Sequence, residues 1–177
     1  MTDLVVREAQ AGEYDEVADL LVRAYTSSYE NSEEYLDSLR HVGEVVPRQQ
    51  IWVALDDGRL VGAVLTPAPG LAPEPWTDEN GTVYRPPTDE LEFNKLAVEP
   101  AARGRGVAKA LVDKAVQIAR ERGISRIGIH SGPQMTTAHA MYEHLGFRRH
   151  RERETVVVDG GQRLRFYIYD IPGGTHD

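Results

Sequence analysis

The stretch from Leu91 to Leu145 constrains this chain more than any other, because its hydrophobic repeat switches between strand and helix periods. Leu91 to Val98 is β-rich. From Gly106 to Arg122 the residues Val107, Leu111, Ala115, Ile118 and Ala119 fall on one helical stripe. Arg120 and Arg122, followed by Gly123, mark the end of that helix, since glycine readily takes the left-handed conformation that closes one. Ile124 to His130 is β-rich again, and about Thr136 to Leu145 returns to helix. Strand, helix and strand in this order predict parallel strands joined by a right-handed crossover.

The flanks add antiparallel elements. Leu4 to Glu8 reads as a strand, and Gly12 to about Tyr25 as a helix carrying Val17, Leu20, Leu21 and Ala24 on one face. A second helix is expected after Asn31 or Ser32. Ile51 to Leu55 and Leu60 to Leu65 are joined by Asp56-Asp57-Gly58-Arg59, a strong hairpin signal. Six of the ten prolines lie between Thr66 and Thr88, with Gly70 and Asn80-Gly81, so loop 66–88 is expected on the surface. Such a loop either shapes a binding site or is an insertion without a role. Thr155 to Val158 and Leu164 to Tyr169 flank Asp159-Gly160-Gly161-Gln162, a terminal hairpin. Its Phe166, Tyr167 and Tyr169 suit a homodimer surface or the finishing of a sheet. There is no internal repeat, and one domain is expected over residues 1–177.

The charge balance excludes several classes. Twenty Lys plus Arg against 28 Asp plus Glu give a net charge of -8, which disfavours nucleic acid as a partner and favours a cationic acceptor over an anionic one. The basic run Arg148-Arg149-His150-Arg151, with Arg153, reads as a solvated face. With no cysteine, disulfides, thiolate metal sites and a cysteine acyl-enzyme are impossible. His130, His139, His144 and His150 lack a His-x-x-x-His pair, which argues against a metal centre. No apolar run approaches the ~20 residues of a membrane span, and Met1 to Glu8 lacks a basic stretch leading into one, so a soluble, cytoplasmic protein with no membrane partner is expected.

Arg103-Gly104-Arg105-Gly106-Val107-Ala108 directly follows a strand and opens a helix. Backbone N–H groups and the positive end of the helix dipole converge there, and glycine lets an anion approach closely. Arg103, Arg105 and Lys109 add charge, so a diphosphate suits the loop. A Walker loop requires Gly-Lys-Ser/Thr, but Val107-Ala108 follows Gly106. A dinucleotide-binding loop requires a third glycine where Lys109 stands, and an acidic residue where the next strand ends in His130-Ser131. Both fail.

Leu96-Ala97-Val98 followed by Arg103-x-x-Gly106-x-Ala108 resembles the acetyl-CoA-binding motif of the GNAT superfamily of N-acetyltransferases, and Ala138 to Phe147 resembles its downstream Ala-x-x-x-Tyr-Glu-x-Leu-Gly-Phe segment. The resemblance covers about Glu90 to Phe147 closely and the rest in architecture. It implies an α/β (α+β) fold: a mixed, mostly antiparallel twisted sheet of six to seven strands, about four flanking helices and a central parallel β-α-β unit. It implies acetyl-CoA as co-substrate, bound by Leu96, Ala97, Val98, Arg103, Gly104, Arg105, Gly106, Val107 and Ala108, with the pantetheine arm pairing to backbone at Leu96 and Val98. Met135 stands where the family often has Asn.

The implied reaction moves an acetyl group to a primary amine by direct attack in a ternary complex. An alkylamine with a pKa near 10.4 must first lose a proton. Glu92, four residues before Leu96, matches a general-base glutamate, and Glu90 shares its strand face. Both carboxylates also suit a solvated strand start or the orientation of a cation. Tyr142 matches the tyrosine that protonates the departing thiolate, although its place on an amphipathic helix also suits packing. Tyr25, Tyr29, Trp76 and Tyr84 fall in segments that border the acceptor site in this architecture and suit either an amine pocket or ordinary packing. The acceptor is a small-molecule amine or a protein N-terminus. An acyl-CoA sensor without efficient catalysis, supported by Met135, is the alternative, and a nucleotide-dependent oxidoreductase a third reading.

Overall fold

The computed structural model describes residues 3–71, 75–78, 80–85, 87–158 and 161–173. In chain order the elements are β1 (Leu4–Glu8), α1 (Tyr14–Ser28), α2 (Glu33–Arg40), β2 (Gln49–Asp56), β3 (Arg59–Pro67), β4 (Trp76–Thr77), β5 (Val83–Tyr84), β6 (Glu90–Glu92), β7 (Asn94–Val98), α3 (Val107–Glu121), β8 (Arg126–Ser131), α4 (Thr136–His144), β9 (Arg148–Arg149), β10 (Val157–Val158), β11 (Gln162–Arg163) and β12 (Arg165–Asp170). The chain forms two compact units, Met1–Ala68 with Phe93–Ala115, and Pro69–Glu92 with Val116–Asp177.

The first unit holds an antiparallel sheet in the order β1-β2-β3-β7. The β2–β3 hairpin turns on Asp57 and Gly58, both left-handed at φ 51° and 77°, as a two-residue turn demands. Ser32 caps α2 by accepting from the Tyr35 N–H at 3.1 Å. Helix α1 packs on β3 and β7, and its Val17, Leu20 and Leu21 have no solvent exposure. Each such side chain contributes about 1.5–3 kcal/mol on burial. Gly62 of β3 lets the sheet meet the start of α3: a methyl there would lie 2.7 Å from Val107 Cγ1 and 3.0 Å from Leu111 Cδ1.

The second unit holds a sheet in the order β6-β8-β12-β9, with β6 parallel to β8 and the other pairs antiparallel. Its core includes Leu91, Ile127, Phe166, Tyr167 and Ile168. Gly123, at φ 70°, ends α3, and the Ile124 N–H donates to the Ala119 carbonyl at 2.8 Å, as a glycine-closed helix end requires.

Four expectations change. The run from Leu91 to Val98 is not one strand: it breaks at Phe93, and only β6 pairs in parallel with β8 while β7 joins β3. Loop 66–88 carries a two-stranded ribbon, β4 with β5, closed by Asp78 Oδ1 accepting from the N–H groups of Asn80 and Thr82. β12 pairs with β8 and β9, whereas β10 pairs with β11; Asp159 and Gly160 of the expected turn lie outside the described residues. The basic run is not merely solvated, because Arg148, Arg149 and Arg153 pair with Asp170, Glu154 and Glu90. Among the described residues no helix is long and apolar enough to cross a membrane.

Candidate active site

β7 is the last strand in its sheet's order, so among the described residues no strand pairs with its outer edge. The Glu99 N–H donates to the Val61 carbonyl at 2.8 Å. By the alternation of an antiparallel ladder, Ala97 also faces β3, while the backbone groups of Leu96 and Val98 point to the open edge. Leu96 C=O accepts from the Tyr25 hydroxyl there at 3.3 Å. The register steps from Ala63↔Ala97 to Leu65↔Asn94, so β7 carries one extra residue. Lys95 absorbs it at φ 53°, a rare conformation for a residue with a side chain. Such an edge binds an amide-bearing arm through backbone pairing.

β7 leads to the glycine loop. Gly104 and Gly106 sit at φ 80° and 81°, and a methyl on either would meet no atom within 4 Å. The loop therefore leaves room on that face for a ligand. The Ala110 N–H donates to the Gly106 carbonyl at 3.0 Å. The N–H groups of Val107, Ala108 and Lys109 precede that first helical bond and have no intrahelical acceptor. This backbone fits a diphosphate.

The side-chain charges differ from expectation. Arg103 donates to the Ala24 carbonyl and the Ser27 hydroxyl at 3.2 and 3.0 Å, tying the loop to the end of α1. Lys109 pairs with Asp113 at 2.7 Å. Arg105, 3.7 Å from Asp56 and more than half exposed, is the cation least committed elsewhere. An anion placed at this loop would therefore meet backbone N–H groups and the helix dipole first, with Arg105 the least committed side-chain charge.

The two acidic candidates lie in the second unit and have separate surroundings. Glu90 is buried and held by the two terminal guanidinium nitrogens of Arg153, at 2.9 and 3.0 Å. Arg153 in turn lies 4.4 Å over the Phe166 ring. Glu90 is therefore an internal counter-ion. Glu92 keeps 36% of its side chain exposed and accepts a hydrogen bond from His130 Nδ1 through Oε1. The His130 ring lies against Phe166 at 4.7 Å, with the edge of Trp76 at 5.8 Å. Trp76 is fixed by donation to Thr155 Oγ1 at 3.1 Å and by stacking on Tyr84 at 5.7 Å. His130 Nε2 is buried without a partner. An N–H there would be costly, so the proton belongs on Nδ1, facing the carboxylate. One oxygen of Glu92 is thereby held while the carboxylate still reaches solvent.

Tyr142 of α4 is buried at 3% exposure, with Phe147 and Tyr167 at 5.7 and 5.9 Å. Met135 starts α4 without a side-chain cap and receives Ser131 Oγ on its sulfur at 3.6 Å. His139 is buried, and that burial lowers its pKa. The cofactor-loop candidates thus all lie in the first unit, and Glu92 and Tyr142 in the second. Sequence reasoning weighed His130 only as a metal ligand and missed its pairing with Glu92, which joins residues 38 positions apart.

An open strand edge leading to a glycine-lined helix start is a scaffold for a long molecule bearing amides and a diphosphate, which is the make-up of an acyl carrier. Residues 14–147 match the Acetyltransferase (GNAT) family, and the chain belongs to it. It is accordingly an acyltransferase of the N-acetyltransferase class, whose acyl donor is generally acetyl-CoA. YjgM of Escherichia coli strain K12, an uncharacterized N-acetyltransferase, is 34% identical over 143 residues, 81% of this chain and 72% of its own. Mycothiol acetyltransferase of Beutenbergia cavernae is 33% identical over 130 residues, 72% of this chain but only 39% of the relative. Among solved structures, the PaiA N-acetyltransferase of Thermoplasma acidophilum in complex with coenzyme A aligns with a TM-score of 0.67 at 15% identity, covering 94% of this chain and 99% of that one. The ribosomal-protein-S18-alanine N-acetyltransferase of Escherichia coli aligns at 0.66 and 16% identity, over 99% and 98%.

Proposed function

We propose that this protein transfers an acetyl group from acetyl-CoA to a primary amine by direct attack within a ternary complex. The open edge at Leu96 and Val98, continuous with the glycine loop, is the observation that carries the reading. The pantetheine amides pair with that edge, and the N–H groups of Val107 and Ala108 take the diphosphate. Glu92 accepts the proton of the ammonium, with His130 holding its carboxylate in place. The amine nitrogen then attacks the thioester carbonyl carbon, the carbon–sulfur bond breaks, the thiolate takes a proton from Tyr142, and the proton shed by the new amide nitrogen restores the phenol. The acceptor is a small-molecule amine or a protein N-terminus. Among relatives, the names mycothiol acetyltransferase and ribosomal-protein-S18-alanine N-acetyltransferase represent both kinds.

Glu92→Gln tests the base. It should lower kcat/KM by about 10²–10⁴ near neutral pH, recover as pH approaches the amine's pKa, and leave acetyl-CoA affinity unchanged. Native turnover across the pH range would remove Glu92 from the mechanism.

A further inference from the structure

Lys95 is the feature of the first unit that neither packing nor the proposed chemistry absorbs. It sits at the β7 bulge in a left-handed conformation. Its ammonium lies 5.7 Å from the centre of the Tyr35 ring. Tyr35 is edge-on to Tyr25 at 5.5 Å and hydrogen-bonded to it, and Tyr25 donates to the Leu96 carbonyl. Lysine, tyrosine, tyrosine and strand edge thus form a connected group. No carboxylate among the described residues pairs with Lys95, although Arg7, Arg23 and Lys109 in the same unit all have one. Burial is what acts on its ammonium, and it pushes the pKa down. A half-buried cation whose neighbour is an aromatic ring and not a carboxylate gains little for folding alone; it is what a site for an anionic ligand requires.

Position along β7 separates cofactor from acceptor. The diphosphate loop follows the C-terminal end of β7, so a carrier arm lying along Leu96 and Val98 brings its acyl end to the N-terminal end of the strand, beside Asn94 and Lys95. The charge of Lys95 therefore meets the acceptor and not the cofactor phosphates. An acceptor with only an ammonium would be repelled, whereas a carboxylate near the amine would be held.

We propose that Lys95, with Tyr35 and Tyr25, forms a subsite for a carboxylate on the acceptor, which makes the acceptor an amino acid or a similar amino-carboxylate. The ammonium supplies the charge that a carboxylate requires, the Tyr35 ring positions that ammonium, and Tyr25 ties the pair to the strand edge. Lys95 also favours loss of the amine's proton by disfavouring a second positive charge nearby. The proposal rests on the acetyltransferase reading above, and it points away from the cationic acceptor that the acidic composition favours, because one pocket need not follow the net charge.

The test compares glycine, L-phenylalanine and L-aspartate, each against its α-carboxamide, after acetyl-CoA binding has been confirmed by calorimetry. The native enzyme should prefer the acids by roughly ten- to hundredfold in kcat/KM, as a charge-assisted contact implies. Lys95→Met should abolish that preference mainly through KM, Lys95→Arg should restore part of it, and the acetyl-CoA affinity of both should stay within about twofold of native. Lys95→Met should also melt no lower than the native protein, since it removes a half-buried charge that has no counter-ion among the described residues. For any pair that is not turned over, the same ratio is read as the affinity of the N-acetyl product and its amide in the presence of CoA. Equal use or equal affinity of acid and amide, no binding of either, or a preference that survives in Lys95→Met, overturns the proposal. Absence of acetyl-CoA binding instead removes the reading beneath it.

Discussion

Gly62→Ala probes the close approach that seats the start of α3. The new methyl would lie 2.7 Å from Val107 Cγ1, 3.0 Å from Leu111 Cδ1 and 3.2 Å from the Ala97 carbonyl oxygen. Carbon atoms pack at about 3.5–4.0 Å, so the helix start must retreat by roughly 1 Å or Val107 must leave its rotamer. Val107 is 2% exposed and Leu111 fully buried, which leaves neither much room to yield. Overpacking of this kind costs about 1–3 kcal/mol, each of which lowers Tm by roughly 2–4 °C in a chain of this size. Val107→Ala alone costs about 2 kcal/mol in lost burial and cavity. Combined, the two fit each other, because the methyl at 62 enters the space that Val107 vacates. The double variant, followed by urea unfolding, should be more stable than the sum by at least about 1 kcal/mol. Additivity within about 0.5 kcal/mol would refute the contact. The single Gly62→Ala variant should also bind acetyl-CoA more weakly, since it displaces the N–H groups that open α3.

Two further outcomes are expected. Tyr142→Phe preserves the ring's packing on Phe147 and Tyr167, so it should cost at most about 1.5 kcal/mol in stability while slowing the acyl-transfer step tenfold or more, read in single-turnover experiments; unchanged single-turnover rates would leave Tyr142 a packing residue. The Arg7 hydrogen bonds hold the Glu13 carboxyl at about 2, below its ordinary 4.5. That pair's stabilisation is complete above about pH 4.5 and is lost as pH falls toward 2. Glu13→Gln should flatten the fall of Tm with acidification in that window, and a slope identical to the native protein's would count against it.

The parts of the fold that were legible in the sequence are those set by neighbours along the chain. Asp57-Gly58 announces its turn because two successive left-handed residues suit few other pairs, and Ser32 announces α2 because its hydroxyl caps three residues ahead. Gly123 does the same for the end of α3. The break at Phe93 was not legible: each side of it is β-rich, and only the partners, β8 for Glu92 and β3 for Asn94, divide the run. Glu90 and Glu92 looked equivalent by alternation, yet Arg153 neutralises one and His130 orients the other across long sequence separations. The glycine loop's backbone was readable, because glycine and a helix start are local signals, but the diversion of Arg103 to α1 was not. Lys95 gave no signal, since its isolation depends on which carboxylates fail to reach it.

The central claim is that the open edge of β7 and the glycine loop together bind acetyl-CoA. Titration calorimetry on the purified, cofactor-free protein, with NADH as control, tests it most directly. Saturable binding of acetyl-CoA, weakened by Gly106→Val, with no comparable binding of NADH, is the expected result. A folded protein that binds neither, or that prefers NADH, would contradict it.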